Sequence, residues 1–153
     1  MKKKGFTLVE LLAVIAILAI LVIIALPNVL SMYRQARENS FQNEVKEVFR
    51  TAQQQFLIDS MNPTTATDTK TYSDVAGISS DKLDLQGGGT NFHYCIVLNN
   101  QGTVTQIRVS NGTYTYNVTG VSYTDAQSIT FTDTNFKTEA KAVGSGTNDY
   151  KCS

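Results

Sequence analysis

The sequence has few of the side chains from which catalytic and metal sites are usually built. It holds one histidine, His93, and two cysteines, Cys95 and Cys152, in 153 residues. Nothing near His93 predicts a Cys/His metal cluster or a histidine-activated nucleophile. Gly87-Gly88-Gly89 lacks the lysine of a phosphate-binding loop. We therefore expect a non-enzymatic protein without a cofactor or a metal, in which His93 is a hydrogen-bonded strand residue.

Charge is also scarce. Thirteen Lys and Arg residues balance thirteen Asp and Glu residues, and only 17% of the chain is charged. Without Lys2, Lys3 and Lys4, ten basic side chains would face thirteen acidic ones. A mildly acidic protein has no broad attraction for phosphate backbones. The composition therefore does not predict a specific nucleic-acid partner.

The first thirty residues contain a long apolar run. Residues 6–26 are apolar except for Thr7 and Glu10, and 21 helical residues span about 30 Å, the thickness of a bilayer core. The three lysines before the run favour a cytoplasmic N-terminus and an external C-terminal part. A secretory signal has a shorter apolar region and a small-residue cleavage site. The segment therefore predicts a membrane-spanning helix, and a simple signal anchor is the alternative.

Glu10 is the residue of this segment that a plain anchor does not explain. A carboxylate within a membrane helix costs around 3 kcal/mol on insertion scales, so it usually marks a partner or a function. If the chain is cut between Gly5 and Phe6, the new α-amino group lies about 6 Å before Glu10 along the helix axis. A parallel helix shifted by that distance pairs its amine with this carboxylate. Glu10 therefore predicts staggered packing of identical helices, since a monomer would leave its charge unpaired.

These residues resemble the N-terminus of a known family. Lys2-Lys3-Lys4-Gly5-Phe6-Thr7-Leu8-Val9-Glu10 and the apolar run after it are similar to the class III signal of type IV prepilins and pseudopilins. The resemblance implies that prepilin peptidase, a membrane aspartic protease, cleaves after Gly5 and methylates Phe6. It also implies that Glu10 is the family's assembly glutamate and that Pro27 is its recurrent proline.

The helix is expected to continue well past the apolar run. Pro27 removes one backbone N–H, and we expect a kink there. Farther on, apolar residues recur at steps of three and four positions, which is typical of an amphipathic helix. They are Phe41, Val45, Val48, Phe49, Ala52 and Phe56. The helix should end near Ser60, because Asn62-Pro63 follows. A coiled coil is the alternative, but the spacing is irregular and a folded domain follows, which favours packing on a sheet.

The C-terminal part is rich in β-branched and aromatic residues. Residues 63–70 predict an exposed loop, and 72–89 a connection with a short helical or extended piece. Strands are expected at 92–98, 104–109 and 113–118, with a possible fourth at 128–132. Asn111-Gly112 is a strong hairpin signal. The predicted fold class is α+β, a long helix packed on a small antiparallel sheet, and the pilin resemblance implies the same architecture.

The expected organisation has four segments. They are a leader at 1–5, a transmembrane and filament-core helix at 6–27, an amphipathic helix at 28–61 and an extracellular β-rich domain at 62–153. Both Cys95 and Cys152 would lie outside the membrane, where oxidising conditions favour one disulfide between them. The alternative is a buried free thiol at 95 and a reactive one at 152. Many pilins similarly staple a C-terminal loop.

Three functions are compatible with these patterns. The preferred one is a structural subunit, the major pilin, of a type IV pilus used in adhesion, motility or surface attachment. The second is a pseudopilin of a type II secretion or competence DNA-uptake system. The third is a membrane-anchored binding protein that does not polymerise. For a pilin, the implied partners are copies of the chain, prepilin peptidase, the inner-membrane assembly platform and minor pilins. The implied locations are the cytoplasmic membrane before assembly and the extracellular filament afterwards.

Overall fold

The computed structural model describes residues 5–61, 69–74, 81–86, 91–132 and 135–137. Its elements are one helix, α1 (Leu8–Ser60), a short 3-10 turn (Ala126–Ser128) and five strands. The strands are β1 (Thr69–Ser73), β2 (His93–Asn99), β3 (Val104–Ser110), β4 (Thr115–Tyr123) and β5 (Phe136–Lys137). The chain divides into two compact units, Met1–Asn39 and Ser40–Ser153, so helix α1 contributes to both.

The described part of the first unit is the N-terminal part of α1 with the three residues before it, and its large apolar side chains are exposed. Every large apolar residue from Leu8 to Leu26 keeps more than half of its surface accessible. Within the described residues, α1 is the one helix long and apolar enough to cross a membrane, with a mean hydropathy of 3.2 in its most apolar window. Pro27 lies inside this helix, which is continuous through it. A hydrocarbon environment therefore suits the apolar stretch 8–26 better than water does.

The second unit places the remainder of α1 on an antiparallel sheet. Five helix residues are completely buried: Phe41, Val45, Val48, Phe49 and Ala52. The strands lie in the order β1-β2-β3-β4-β5, and each neighbouring pair is antiparallel. One row of opposed residues crosses the sheet through Tyr72, Ile96, Ile107 and Val118. This row belongs to the same apolar core as the buried helix residues, which confirms the predicted α+β, pilin-like fold.

Two hairpins of the sheet close on asparagine and glycine. Between β2 and β3, the Asn99 side-chain oxygen accepts hydrogen bonds from the backbone N–H groups of Gln101 and Thr103, at 3.0 and 2.9 Å. Gly102 has a φ of +76°, and a Cβ there would lie 3.1 Å from two ring atoms of Phe56. Glycine is needed because it combines a left-handed backbone with close approach to a ring.

The second hairpin, between β3 and β4, contains the predicted Asn-Gly turn. The Asn111 side-chain oxygen accepts from the N–H groups of Thr113 and Tyr114, at 3.1 and 2.9 Å. Gly112 has a φ of +82°. The Asn111 amide nitrogen also donates to a carboxylate oxygen of Glu44 at 3.1 Å, so the turn is tied to α1.

Strand β1 corrects the prediction of an exposed loop at 63–70, because Thr69 and Lys70 belong to it, and its residues Tyr72 and Ser73 are a short extended piece of the kind predicted within 72–89. Thr69–Ser73 pairs along its whole length with β2, although only Tyr72 among its residues is strongly apolar. The Tyr72 hydroxyl donates to Asp59 near the end of α1 at 2.8 Å, and Lys70 forms ion pairs with Asp59 and Asp81 at 3.1 and 2.8 Å. These long-range contacts explain why a polar segment forms a strand.

Asp59 receives several of these contacts at once. Burial raises the pKa of its carboxyl group, but hydrogen bonds from Gln55, Tyr72 and Lys70 lower it by more, so the pKa lies below its ordinary value. Burial and the hydrogen bond to Asp59 raise the pKa of Tyr72. The cluster therefore stabilises the ionised carboxylate and the neutral phenol, and it fastens β1 to α1.

The predicted fourth strand at 128–132 is wrong. The Asp125 carboxylate accepts from the backbone N–H of Gln127 at 3.1 Å and caps the 3-10 turn Ala126–Ser128. Among the described residues the last strand is Phe136–Lys137 instead, which pairs with Thr115 and Tyr116 of β4. Side-chain capping thus directed the backbone at Ser128 away from the extended conformation.

Candidate functional site

The candidate site is the segment just before helix α1, where the predicted leader ends. Gly5, Phe6 and Thr7 precede the helix and have no regular secondary structure. The Phe6 side chain is 92% exposed, and apart from the two neighbouring residues no heavy atom lies within 4 Å of the position that a Cβ on Gly5 would take. The Gly5-Phe6 peptide bond is therefore open to a protease in this conformation.

Thr7 and Glu10 form a reciprocal cap on the first turn of α1. The Glu10 carboxylate accepts from the backbone N–H of Thr7 at 2.8 Å and from its hydroxyl at 2.9 Å. In return, the Thr7 hydroxyl oxygen accepts from the backbone N–H of Glu10 at 3.3 Å. This is a capping box, in which the first and fourth residues satisfy helix N–H groups that have no partner within the helix.

The capping box gives the Glu10 carboxylate hydrogen-bond partners within its own chain. Glu10 was expected to be unpaired in a monomer, but its carboxylate is hydrogen-bonded within a single chain. The Thr-x-x-Glu spacing at positions 7–10 would have predicted this cap. Both donors, the N–H and the hydroxyl of Thr7, are neutral groups, so these contacts give the negative charge of Glu10 no cationic partner. Pairing of this carboxylate with a cation of a second chain stays a prediction.

The other residues singled out in the sequence lie far from this junction along the chain. Cys95 is fully buried in β2, and side-chain alternation places it on the sheet face opposite to Ile96 and the core. Cys152 lies outside the described residues, so the disulfide between them stays a prediction. The kink at Pro27 also stays a prediction.

His93 is a hydrogen-bonded strand residue, as predicted. Its ring Nδ1 lies 2.7 Å from a carboxylate oxygen of Asp74. The other oxygen of Asp74 accepts from the backbone N–H of Tyr94 at 2.8 Å. The contact holds the start of β2 to the end of β1. Among the described residues, no group of three or more His, Cys, Asp and Glu side chains is placed to hold a metal ion.

Comparison with known proteins identifies the N-terminal segment. Residues 1–26 match the family model described as the prokaryotic N-terminal methylation motif. This motif is the class III signal of type IV pilins and pseudopilins, which confirms the resemblance. No curated protein and no solved structure shows a significant match. The match covers the predicted leader, Glu10 and the apolar run at 6–26, and it supports a pilin-like or pseudopilin-like substrate of prepilin peptidase.

Proposed function

We propose that this chain is the major structural subunit of a type IV pilus. The observation that carries the proposal is the methylation motif at residues 1–26, joined without a break to a helix whose exposed apolar side chains need a non-aqueous environment. The α+β unit that follows supplies the domain that a filament would display. The motif also suggests a structural rather than an enzymatic protein.

Processing at the leader is the first step of the proposed function. Prepilin peptidase is proposed to cut between Gly5 and Phe6 and to methylate the new amine of Phe6. The exposed, non-helical conformation of this junction supports the assignment, because a protease needs an accessible peptide bond. The motif and the apolar helix support membrane anchoring of the chain before assembly.

Assembly is proposed to exchange one partner of Glu10 for another. Before assembly, Thr7 caps the helix and hydrogen-bonds the carboxylate. In the filament, the cationic amine of Phe6 from a neighbouring copy takes up a position beside Glu10. A charge-assisted hydrogen bond is about twice as strong as one between neutral groups. The neighbour's amine therefore competes well with Thr7 and sets the stagger of the two helices. The inner-membrane assembly platform and minor pilins are further proposed partners.

Two measurements on sheared surface material test the proposal. Intact mass should give a chain that begins at Phe6 and carries one added methyl group. Electron microscopy should find this polypeptide as the main component of long thin filaments. A chain that still carries Lys2, Lys3 and Lys4 would remove the basis of the proposal. A processed chain found only in cell envelopes, without surface filaments, would instead favour a pseudopilin.

A further inference from the structure

The turn between β3 and β4 contains the one Asn-Gly pair of the sequence, Asn111-Gly112. The backbone nitrogen of a glycine can attack the side-chain carbonyl of the asparagine before it, because no Cβ hinders the approach. We propose that Asn111 is a deamidation site, which the carboxylate of Glu44 keeps unreactive in the folded chain. The inference concerns the second unit alone and does not depend on filament assembly.

The reaction consumes one water molecule and releases one ammonia. A bond forms between the Gly112 nitrogen and the Asn111 Cγ, and the bond from Cγ to the amide nitrogen breaks. The proton of the Gly112 nitrogen passes to the leaving nitrogen, so ammonia departs and a five-membered succinimide ring remains. Gly112 is exposed, so water reaches this ring and opens it. Breaking the new bond gives aspartate, and breaking the original peptide bond gives isoaspartate, which has an extra methylene in the backbone.

The reacting groups of the turn are held by hydrogen bonds between near neighbours. The Gly112 N–H, whose nitrogen is the attacking atom, donates to Ser110 Oγ at 3.2 Å. The Asn111 Oδ1 accepts from the N–H groups of Thr113 and Tyr114 at 3.1 and 2.9 Å. These two donors would stabilise the negative charge that develops on Oδ1 during the attack, as in an oxyanion hole. The contacts of Oδ1 therefore do not protect the amide.

Glu44 supplies the contact that opposes the reaction. The Asn111 amide nitrogen, which is the leaving group, donates to a Glu44 carboxylate oxygen at 3.1 Å. A carboxylate at this N–H strengthens the donation of the nitrogen lone pair into the carbonyl group, so Cγ becomes a weaker electrophile. The bond also fixes the side chain, and its acceptor lies on α1, 67 residues away in the sequence. This protection therefore exists only while α1 is packed on the sheet.

The product of the reaction would make the same contact repulsive. An aspartate at position 111 has no amide N–H for Glu44 and adds a negative charge beside it. Burial raises the pKa of the Glu44 carboxyl group, the hydrogen bond from Asn111 lowers this pKa, and the charge of Glu47 raises it. The product would remove the one stabilising contact of these three and add a second like charge. Deamidation would thus loosen the turn from α1.

Deamidation rates in the detergent-solubilised full chain test the inference. Wild type and Glu44→Ala are incubated side by side at mildly alkaline pH, and peptide mapping by mass spectrometry measures aspartate and isoaspartate at position 111. Loss of a hydrogen bond to a charged group should raise the rate about tenfold or more above wild type. The wild-type chain unfolded in urea gives the rate of the unprotected pair. Equal rates in folded wild type and Glu44→Ala, or in folded and unfolded wild type, overturn the inference.

Asp59→Ala is the matched control for general destabilisation. It removes a carboxylate from the other end of α1, where Asp59 accepts from the Tyr72 hydroxyl and holds β1. This variant should deamidate at position 111 at close to the wild-type rate. If Asp59→Ala accelerates the reaction as much as Glu44→Ala does, unfolding of the whole unit controls the rate, and the role of Glu44 is wrong.

Exchange of acid and amide tests the contact without waiting for the reaction. Asn111→Asp imitates the product and should lower the melting temperature of the chain. In the double variant with Glu44→Gln, the amide lies on α1 and the acid in the turn, so the hydrogen bond can form again with its direction reversed. The double variant should recover most of the lost melting temperature. An unchanged melting temperature in Asn111→Asp, or no recovery in the double variant, contradicts the proposed contact.

Discussion

Replacing Glu10 by glutamine separates the two roles of its carboxylate. In the wild-type chain the Thr7 N–H donates to the Glu10 carboxylate at 2.8 Å. The amide oxygen of glutamine can accept the same hydrogen bond, so the helix cap should largely persist. The negative charge is lost. The insertion cost of the carboxylate, around 3 kcal/mol, is removed in Glu10→Val, whereas in Glu10→Gln it is replaced by the cost of burying a polar amide.

The expected effect on assembly is large. Without the Glu10 charge, the Phe6 amine of each incoming subunit would be buried without a counter-ion, and removal of one partner of a buried ion pair costs about 3–5 kcal/mol. Since about 1.4 kcal/mol corresponds to a factor of ten, subunit association should weaken by about two to three and a half powers of ten. Cleavage after Gly5 should continue, because the junction is unchanged.

The measurement compares filament yield with processed subunit in the membrane. Glu10→Gln should leave the processed subunit in the membrane and filaments rare or missing, and Glu10→Val should behave in the same way. Thr7→Val is the matched control, because it removes the hydroxyl of the cap and keeps the charge. It should assemble much better than Glu10→Gln. Wild-type filament yield from cells that carry only Glu10→Gln would refute the role of the charge pair.

Three further predictions concern the second unit. Reduction should lower the melting temperature of the detergent-solubilised chain, since a disulfide between Cys95 and Cys152 would contribute about 4 kcal/mol in the chain-entropy model; two thiols alkylated without reduction would contradict the bond. Gly120→Ala should lower the free energy of unfolding by about 1 kcal/mol, because the backbone φ at this position is +70°. Gly102→Ala should lower it by more, because the new Cβ would also press on the ring of Phe56. Equal losses for the two variants in denaturant unfolding would contradict that contact. Asp59→Asn should reduce stability near pH 7. Because the folded pKa of Asp59 is depressed, the difference from wild type should disappear as the pH falls through and below the ordinary value of 3.8; a pH-independent difference would count against the ionised cluster.

Some parts of the fold could be predicted because their signals are local. The end of α1 at Ser60 follows from Asn62-Pro63, and the buried stripe of the helix follows from apolar residues at steps of three and four. The Asn-Gly turn fixed the hairpin between β3 and β4, where the Asn111 side chain bonds the backbone beyond it. In each of these places a few neighbouring residues determine the conformation.

Other parts depend on partners that are distant in sequence. Strand β1 is short and mostly polar, and it is held by pairing with β2 and by the contact of Tyr72 with Asp59. At Ser128, a side-chain cap from Asp125 outweighed the β-branched residues that follow. The candidate site depends on local signals throughout. The motif located Gly5, Phe6 and Glu10, and the cap between Thr7 and Glu10 follows from their Thr-x-x-Glu spacing, a pattern that the sequence analysis did not use.

The apolar surface of the first unit has a consequence for the energetics of polymerisation. Large aliphatic side chains cover α1 on all sides from Leu8 to Leu26, and none of them is buried within the chain. Lipid tails and the aliphatic side chains of other helices are similarly apolar, so transfer from one to the other yields little hydrophobic free energy. The exchange is close to neutral for most of the helix surface. Whether the helix leaves the lipid for contact with other helices is then decided by close packing and by a few polar atoms, two of which are the carboxylate oxygens of Glu10.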